Sequence, residues 1–456
     1  MALKVEVYQK EKVRPSSPTP QTLRYYKLSL LDVLAGPFYG PHVFFYPSGA
    51  GPRRHDYDEL KESLSKTLSI LYPLAGRLLE DGSTIECNDE GADFVRANVT
   101  NYDLGEFLRH PKLEDLRQLL PLDPYPEVID PAMPMSAVQV NRFRCGGTAV
   151  AFCTWHGVVD GIAMANFYNT MAAINRGERV VTNPGGGLVV DVAAIFSPGN
   201  STIVQAMRTV MSGIMKKKLG KYASKRYIFS KQDTERIRNQ YSQSERHRRP
   251  SRVVSLSAFV WAAVIRATLV AKPTLKTHLL THYMNLRNKL NPPLPSQCLG
   301  NILQGTDSVW EVHGGAAGGP VTGQSLVGRV VEAMDKFTSD YVREMQEGGF
   351  LRSVKALLSK KTDYNEGEIK VLSISSLCKI PFGEVDFGWG KPIWIAIPQI
   401  FLDLALFVDT EDGGVEVWIG LENEVMCNLD KDMEFQSYVS FAHVLYESSC
   451  RLSSAL

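Results

Sequence analysis

The stretch TAVAFCTWHGVVDG, residues 148–161, gives the clearest indication of how this chain folds. Its first part, Thr148–Trp155, is short, largely apolar and rich in strand-forming side chains, so it predicts a buried β-strand. Gly157 and Gly161 then interrupt the pattern, which indicates a tight turn or a close approach of the backbone to another group. His156 therefore follows directly on a strand end, where α/β proteins commonly carry chemistry.

Strand and helix patterns alternate on both sides of this stretch, which is typical of α/β layers. Residues 57–71 carry leucines at helical spacing and are followed by Pro73 and Gly76, which end helices. The same reading of periodicity predicts further elements. Helices are predicted at 57–71, 162–177, 231–241, 254–270 and 325–346, and strands at 135–143, 148–155, 227–229, 278–286, 393–407 and 414–420.

Chain length predicts the domain organisation. A chain of 456 residues is long for one hydrophobic core, so two domains of about 200 residues each are expected. The Pro- and Gly-rich segment 183–200 is the best linker candidate. We expect an N-terminal domain at 1–182, a crossover at 183–222 and a C-terminal domain at 223–456. A Gly-rich run at 314–323 predicts a surface loop.

Charge, cysteine usage and hydropathy exclude several functional classes. The 50 basic and 49 acidic residues leave a net charge of +1, so no overall field favours nucleic acid. The seven cysteines are scattered, odd in number and without metal-ligand spacing, which indicates a reducing compartment and no metal site. The N-terminus lacks the apolar core of a signal peptide, and no uncharged run approaches the ~20 residues that span a bilayer. We therefore expect a cytoplasmic protein without nucleic-acid or membrane partners.

A second unusual motif, DFGWG, occupies residues 386–390. By itself it predicts a loop whose aromatic side chains fill an interface and whose glycines permit positive φ. The HxxxDG pattern at 156–161 by itself is somewhat more typical of a histidine hydrogen-bonded in a core than of a catalytic one. The co-occurrence of the two motifs points to one reaction, the transfer of an acyl group from a thioester to an alcohol or amine.

Further motifs in the same order make the chain resemble the plant BAHD acyltransferases almost from end to end. Within that family it is most similar to the branch that holds alkaloid acetyltransferases and related amide-forming enzymes. The matching segments are PTP 18–20, LSLLD 28–32, YPLAGR 72–77, CNDEG 87–91, CGGT 145–148, HGVVDG 156–161, NLR 285–287, PPLP 292–295, GN 300–301, SSLCK 375–379, DFGWG 386–390 and GGVEVW 413–418.

The resemblance implies an α/β fold of two similar-sized domains with a solvent channel between them. Each domain would be a mixed β-sheet flanked by helices, as in chloramphenicol acetyltransferase. It also implies a monomer that uses acyl-CoA, with acetyl-CoA as the expected co-substrate, a small-molecule acceptor, and no metal or prosthetic group. The sequence leaves the acceptor, the acyl chain and the choice between O- and N-acylation open.

His156 is the expected general base of this reaction. A neutral imidazole has an ordinary pKa of ~6.5, so near neutral pH it can take the acceptor's proton as its oxygen or nitrogen attacks the thioester. Thiols have a pKa of ~8.5, so the coenzyme A thiolate leaves easily and no covalent enzyme intermediate is required. A serine hydrolase would need an activated nucleophile, typically in GxSxG, and the sequence has no convincing one.

Asp160 lies four residues after His156, but the flanking glycines predict a turn rather than one shared helix face. The resemblance implies that Asp160 instead forms a structural ion pair with Arg287. It further implies that Asp386 holds the DFGWG loop by accepting backbone hydrogen bonds, while a catalytic acid/base role for Asp386 stays as a second hypothesis. Trp389 is expected to support the oxyanion region or the channel wall. The residues that complete the expected support of the site are Gly161 and Gly388.

Two departures from the family pattern concern the space near the reacting centre. Leu377 replaces a frequent tryptophan and Gly161 a frequent alanine. Both predict extra room for a bulkier acceptor or acyl group, although neutral drift explains them equally well.

Coenzyme A carries phosphates, so a basic patch is expected at one mouth of the channel. Lys216–Lys218 with Lys221, and Arg246–Arg252, are the basic candidates, and solvated loop charges are the alternative explanation for each. Ser257 and Asn301 match family positions near the coenzyme.

Two other functions remain open at this point. A carrier-protein-dependent condensation domain shares HxxxDG and the paired-domain architecture, but DFGWG and the stand-alone length count against it. A catalytically silent member of the family would bind without transferring, and the intact His156 argues against that hypothesis.

Overall fold

The computed structural model of the chain contains two large mixed β-sheets, each covered by helices. It describes residues 2–49, 51, 55–180, 188–218, 221–243, 249–312, 321–352, 369–399, 402–440 and 442–444. The strands are β1 Val5–Val13, β2 Tyr25–Lys27, β3 Tyr39–Tyr46, β4 Arg77–Leu78, β5 Thr84–Glu86, β6 Ala92–Val99, β7 Ser136–Phe143, β8 Thr148–Trp155, β9 Tyr222–Phe229, β10 Thr277–Asn285, β11 Leu303–Glu311, β12 Ile369–Ser376, β13 Trp394–Ala396, β14 Leu404–Asp409, β15 Val415–Glu422 and β16 Ala442–Val444.

The described α-helices are more numerous than the helices that the sequence patterns predict. They are α1 Leu30–Leu34, α2 Tyr57–Ile70, α3 Leu104–Phe107, α4 Leu113–Gln118, α5 Gly161–Asn175, α6 Val192–Ile195, α7 Ser201–Lys218, α8 Lys231–Gln240, α9 Arg252–Ala271, α10 Gly323–Asp335, α11 Ser339–Glu344, α12 Asn423–Leu429 and α13 Met433–Gln436.

The first sheet runs in the order β1-β6-β7-β8-β3-β13. β6 and β7 are parallel, and the other neighbours are antiparallel. All eight residues of β8 are buried, which explains why this strand reads as a nearly continuous apolar run. The edge strand β13 comes from the second half of the chain and pairs with β3 through Trp394, Ile395 and Ala396.

The second sheet runs in the order β11-β10-β12-β14-β15-β9-β16. β12 is parallel to both of its neighbours, and the remaining pairs are antiparallel. Both large sheets are therefore mixed, as expected, and the predicted fold class is confirmed. A small third sheet has the order β2-β5-β4.

α9 is the central helix of the second hydrophobic core. The Ser251 side chain caps its start by accepting from the backbone N–H of Val254, and most of its residues are buried. Among the described residues it is the helix long and apolar enough to cross a bilayer, yet 78% of its most apolar window is buried inside the structure. Its hydrophobicity therefore fits packing between the sheet and α10.

The predicted strand 227–229 begins earlier, as β9 Tyr222–Phe229, and two other predicted elements are each divided into two. The predicted helix 325–346 is two helices, α10 and α11, because Thr338 starts a new helix by accepting from the backbone N–H of Tyr341. The predicted strand 393–407 is also two elements, β13 and β14, which lie in different sheets. Most of the Gly-rich run at 314–323, and residues 183–187 of the predicted linker, lie outside the described residues.

Candidate functional site

His156 occupies the turn between β8 and α5, as the sequence predicts. The turn closes through the Val158 N–H, which donates to the Trp155 carbonyl at 3.1 Å. The backbone N–H of His156 donates to the Phe38 carbonyl at 2.9 Å, and the two rings lie 4.8 Å apart between centroids. These contacts place the imidazole against Phe38, the residue that precedes β3. The His156 side chain remains half-buried.

The surroundings of His156 favour the neutral ring. Burial lowers the pKa of His156 from its ordinary value. The backbone of His156, the charge of Asp160 and the side chain of Asn301 oppose that effect in part. A neutral imidazole is the form that can accept a proton.

Asp160 faces away from the imidazole and forms the predicted ion pair with Arg287. The two side chains are fully buried, and the guanidinium contacts both carboxylate oxygens at 2.7 and 3.1 Å. The same carboxylate caps α5 by accepting from the Ala163 N–H at 2.9 Å and also accepts from the Ile302 N–H at 3.1 Å. Four hydrogen bonds occupy its two oxygens, so Asp160 holds the turn instead of the ring.

Arg287 extends this contact into the second half of the chain. Its Nη2 also donates to the carbonyls of Cys298 and Gly300, at 3.0 and 3.1 Å. Val159 and Gly300 form an isolated parallel β-bridge at the same place. The histidine turn is therefore attached to the 298–302 segment by both backbone and side chains.

A third contact between the halves joins His156 to Asp32 through Asn301. The Asn301 Nδ2 donates to the His156 carbonyl at 2.7 Å and to Asp32 Oδ1 at 3.1 Å. The Asn301 backbone N–H donates to the same Asp32 oxygen at 2.8 Å. Sequence reasoning assigned no role to Asp32, although its motif, LSLLD, is one of those that carry the family resemblance.

The DFGWG loop has the internal hydrogen bonds that the sequence predicts. Asp386 Oδ1 accepts from the backbone N–H groups of Gly388 and Gly390 at 2.7 and 2.9 Å. Both glycines have φ of 89°, a conformation that favours glycine. Among the described residues, no hydrogen bond or ion pair joins Asp386 to His156. Its catalytic role therefore stays a hypothesis.

Trp389 fills a buried aromatic cluster at the back of β3. Its ring lies 5.5 Å from Tyr46, 5.3 Å from Phe387 and 4.4 Å from His55, measured between centroids. The Tyr46 hydroxyl donates to the Val385 carbonyl at 2.6 Å, and the Asn175 amide donates to the Phe387 carbonyl at 2.7 Å. These contacts attach the loop to the first sheet and to the end of α5.

The two departures from the family pattern lie against each other. A Cβ added at Gly161 would meet Leu377 Cδ2 at 2.8 Å. Leu377 therefore fills the space that the missing methyl group leaves, and the two positions form one packing unit.

The residues that the sequence predicts to contact coenzyme A lie in different parts of the structure. Ser257 is fully buried within α9, and its hydroxyl has no hydrogen-bond partner among the described residues. Arg249 pairs with Glu235, and Arg252 pairs with Asp409. The side chains of Lys216–Lys218, together with residues 244–248, lie outside the described part of the chain. Within that part, no cluster of three or more histidine, cysteine or acidic side chains could hold a metal ion.

Two mixed β-sheets covered by helices, with His156 on the turn that follows β8, are the fold and the candidate site of an acyltransferase. The sequence profile of the Transferase family matches residues 3–436. The chain belongs to this family, the BAHD acyltransferases.

Similar proteins cover nearly the whole chain. A limonoid 21-O-acetyltransferase of Citrus sinensis is 32% identical over 94% of this chain and 97% of its own length. Stemmadenine O-acetyltransferase of Catharanthus roseus is 30% identical, covering 95% of this chain and 97% of its own. The crystal structure of vinorine synthase, an enzyme known from Rauvolfia serpentina, superposes with a TM-score of 0.77 at 30% identity, covering 96% and 98% of the two chains. The TRI101 structure of F. sporotrichioides, complexed with coenzyme A and T-2, shares the fold with a TM-score of 0.70 at 17% identity over 91% and 99%.

Proposed function

We propose that this enzyme transfers an acetyl or another small acyl group from acyl-CoA to a hydroxyl or amine of a plant specialised metabolite, such as an alkaloid. His156 acts as the general base in a direct ternary complex. The observation that carries this proposal is the half-buried imidazole on the turn after β8, which Asn301 joins to the second half of the chain, with Asp160 bound elsewhere.

The reaction uses one proton transfer and one acyl transfer. His156 accepts the proton of the acceptor's hydroxyl or amine as its oxygen or nitrogen bonds to the thioester carbonyl carbon. The bond from that carbon to sulfur then breaks and the coenzyme A thiolate leaves. The imidazolium can return its proton to the thiolate, so the enzyme ends the cycle neutral.

The similar proteins support the choice of donor and acceptor. The names of the limonoid 21-O-acetyltransferase and of stemmadenine O-acetyltransferase specify an acetyl group and an oxygen acceptor in those proteins. The TRI101 structure holds coenzyme A in a fold of the same kind. We therefore take acetyl-CoA as the first donor to test. We also propose that the enzyme works in the cytoplasm as a monomer, with its substrates in a channel between the two domains.

A thiol-release assay tests the proposal. Acetyl-CoA and longer acyl-CoA donors are offered with a panel of plant alcohols and amines, and free coenzyme A is measured together with the acylated product. We expect His156→Ala to lower kcat by about 10²- to 10⁴-fold, the usual contribution of general acid–base catalysis. His110→Ala, which changes an exposed histidine, is the matched control and should keep full activity.

Full transfer activity in His156→Ala would remove the general-base assignment. A different result would favour the catalytically silent alternative. In that case coenzyme A would raise the melting temperature of the protein, while no donor and acceptor pair released thiol above the background of the reaction without enzyme.

A further inference from the structure

The side-chain amide of Asn301 can adopt one orientation only. Its Nδ2 donates to Asp32 Oδ1 at 3.1 Å and to the His156 carbonyl at 2.7 Å, and both of these atoms are acceptors. Asp32 is saturated with donors, because its other oxygen accepts from the backbone N–H and the hydroxyl of Ser29 at 2.9 and 2.7 Å. A flipped amide would place its carbonyl oxygen against a carboxylate and a backbone carbonyl. Asn301 Oδ1 is therefore fixed on the opposite side.

Asn301 and His156 each keep one buried polar atom without a partner among the described residues. Asn301 Oδ1 and His156 Nδ1 are both fully buried, and neither has a hydrogen-bond partner within the described ranges. Asn301 as a whole is only 3% exposed. Buried polar atoms almost always find partners, so a small adjustment that joins these two satisfies both. The direction of that bond follows from the fixed amide, because Oδ1 can only accept.

The electrostatics of the ring support the same pairing. The His156 backbone and the Asn301 side chain raise the pKa of His156 against the larger effect of burial. Asn301 Oδ1 can only accept, so a ring nitrogen that bonds to it must carry the proton.

We propose that Asn301 is a positioning residue that holds His156 in the tautomer with Nδ1 protonated, which leaves Nε2 free to take the acceptor's proton. This inference rests on the proposed function, in which His156 is the base. Asp32 acts one step further away by locking the orientation of the Asn301 amide. The arrangement supplies the orientation that a carboxylate supplies in a serine-protease triad, and it does so with a neutral amide from the other half of the chain.

Within the described part of the chain, the charged groups closest to the ring do not perform this task. Asp160 has both oxygens occupied by Arg287 and backbone donors. Asp32 reaches the ring only through Asn301. His42, which is close enough to His156 for their charges to interact, stays neutral because burial lowers its pKa to about 3.

The test measures the tautomer directly. The enzyme is labelled with ¹⁵N-histidine, and long-range ¹H–¹⁵N correlation spectra give the protonation of each ring nitrogen, with His156→Gln assigning the signals. We expect the Nδ1-protonated form in the wild type and a mixture of tautomers in Asn301→Ala. We also expect kcat to fall on the order of 10- to 100-fold, with KM for acyl-CoA changing by less than roughly twofold. Asp32→Asn keeps the shape of the side chain at position 32 but allows the Asn301 amide to flip. This variant should therefore give the same mixture of His156 tautomers, even where Asn301→Ala does not fold.

Asn285→Ala is the matched control. Asn285 is an amide of the same region that contacts Arg287 and does not touch the ring, so the variant should keep the wild-type tautomer. An Nε2-protonated ring in the wild type, or an unchanged tautomer in both Asn301→Ala and Asp32→Asn, would overturn the inference. That failure differs from failure of the proposed function, which shows itself as transfer activity in His156→Ala whatever the tautomer.

Discussion

The ion pair Asp160–Arg287 shows how a residue of a catalytic motif can be needed without touching a substrate. Both side chains are completely buried, and each makes further hydrogen bonds to backbone groups. The two charges are therefore compensated only by each other and by those groups. Removal of one partner leaves the other as an unpaired charge in a water-poor environment.

We predict that Arg287→Ala lowers the free energy of unfolding by about 3–5 kcal/mol, because the carboxylate of Asp160 loses its counter-charge. Urea denaturation followed by circular dichroism measures the change. Arg343→Ala serves as the control, since its ion pair with Asp340 is exposed and should contribute little. Equal effects of the two variants would contradict a special role for the buried pair.

The contact between Gly161 and Leu377 gives a second prediction about single residues. Gly161→Ala should destabilise the protein by about 1–3 kcal/mol, since the new methyl group would lie 2.8 Å from Leu377 Cδ2. The double variant Gly161→Ala/Leu377→Ala should recover part of that loss, because the smaller side chain makes room. Denaturation curves of the three variants, analysed as a double-mutant cycle, give the coupling, and additive effects would argue against direct packing.

In the DFGWG loop, mutation can distinguish the structural role of Asp386 from a catalytic one. Its Asp386 accepts two backbone hydrogen bonds, and its Trp389 fills a cluster on the first sheet. A purely structural Asp386 needs an acceptor atom, whereas a catalytic acid or base needs a carboxyl group that titrates. Asparagine supplies the first property and lacks the second.

We predict that Asp386→Asn keeps most of the transfer activity, while Asp386→Ala loses stability by about 1–3 kcal/mol because two backbone donors in part-buried hydrogen bonds lose their partner. Melting temperature and kcat are measured on both variants. A folded Asp386→Asn enzyme with the activity of His156→Ala would instead support the catalytic hypothesis.

Elements and contacts differ in how far the sequence predicts them. The periodicity of 57–71 and 148–155 located α2 and β8 closely, because local patterning alone sets a helix or a buried strand. The break between α10 and α11 depends on a cap at Thr338 inside a continuous helical pattern. The bond between Asp32 and Asn301 joins positions 269 apart in the chain, and no local pattern encodes such a contact.

At the scale of the whole molecule, both halves contain a histidine that folding keeps neutral. Burial lowers the pKa of His42 to about 3, and burial together with Lys370 lowers that of His278 to about 4. Both side chains are less than a twentieth exposed. The unfolded chain, in which histidine has a pKa of ~6.5, therefore binds more protons than the folded chain at acid pH.

We predict that stability falls as the pH drops from about 6.5 towards 3, because these histidines take up protons only when the chain unfolds. At ~1.4 kcal/mol per pKa unit, His42 alone should account for a loss of about 4–5 kcal/mol at the acid end. Urea denaturation at a series of pH values measures this dependence. His42→Gln should flatten the curve, and an unaltered slope would show that His42 has the same pKa in the folded and the unfolded chain.

The pairing of β13 with β3 constrains the order in which a newly made chain can fold. Strand β3 ends at Tyr46, and its partner strand β13 is fully synthesised only when the chain reaches Ala396. A ribosome adding about 5–20 residues per second needs roughly 20–70 s to synthesise the intervening chain. Once β8 has been synthesised and has paired with β3, the nascent first sheet keeps an open edge until β13 is made, so chaperone protection during translation should govern how much active enzyme a host cell produces.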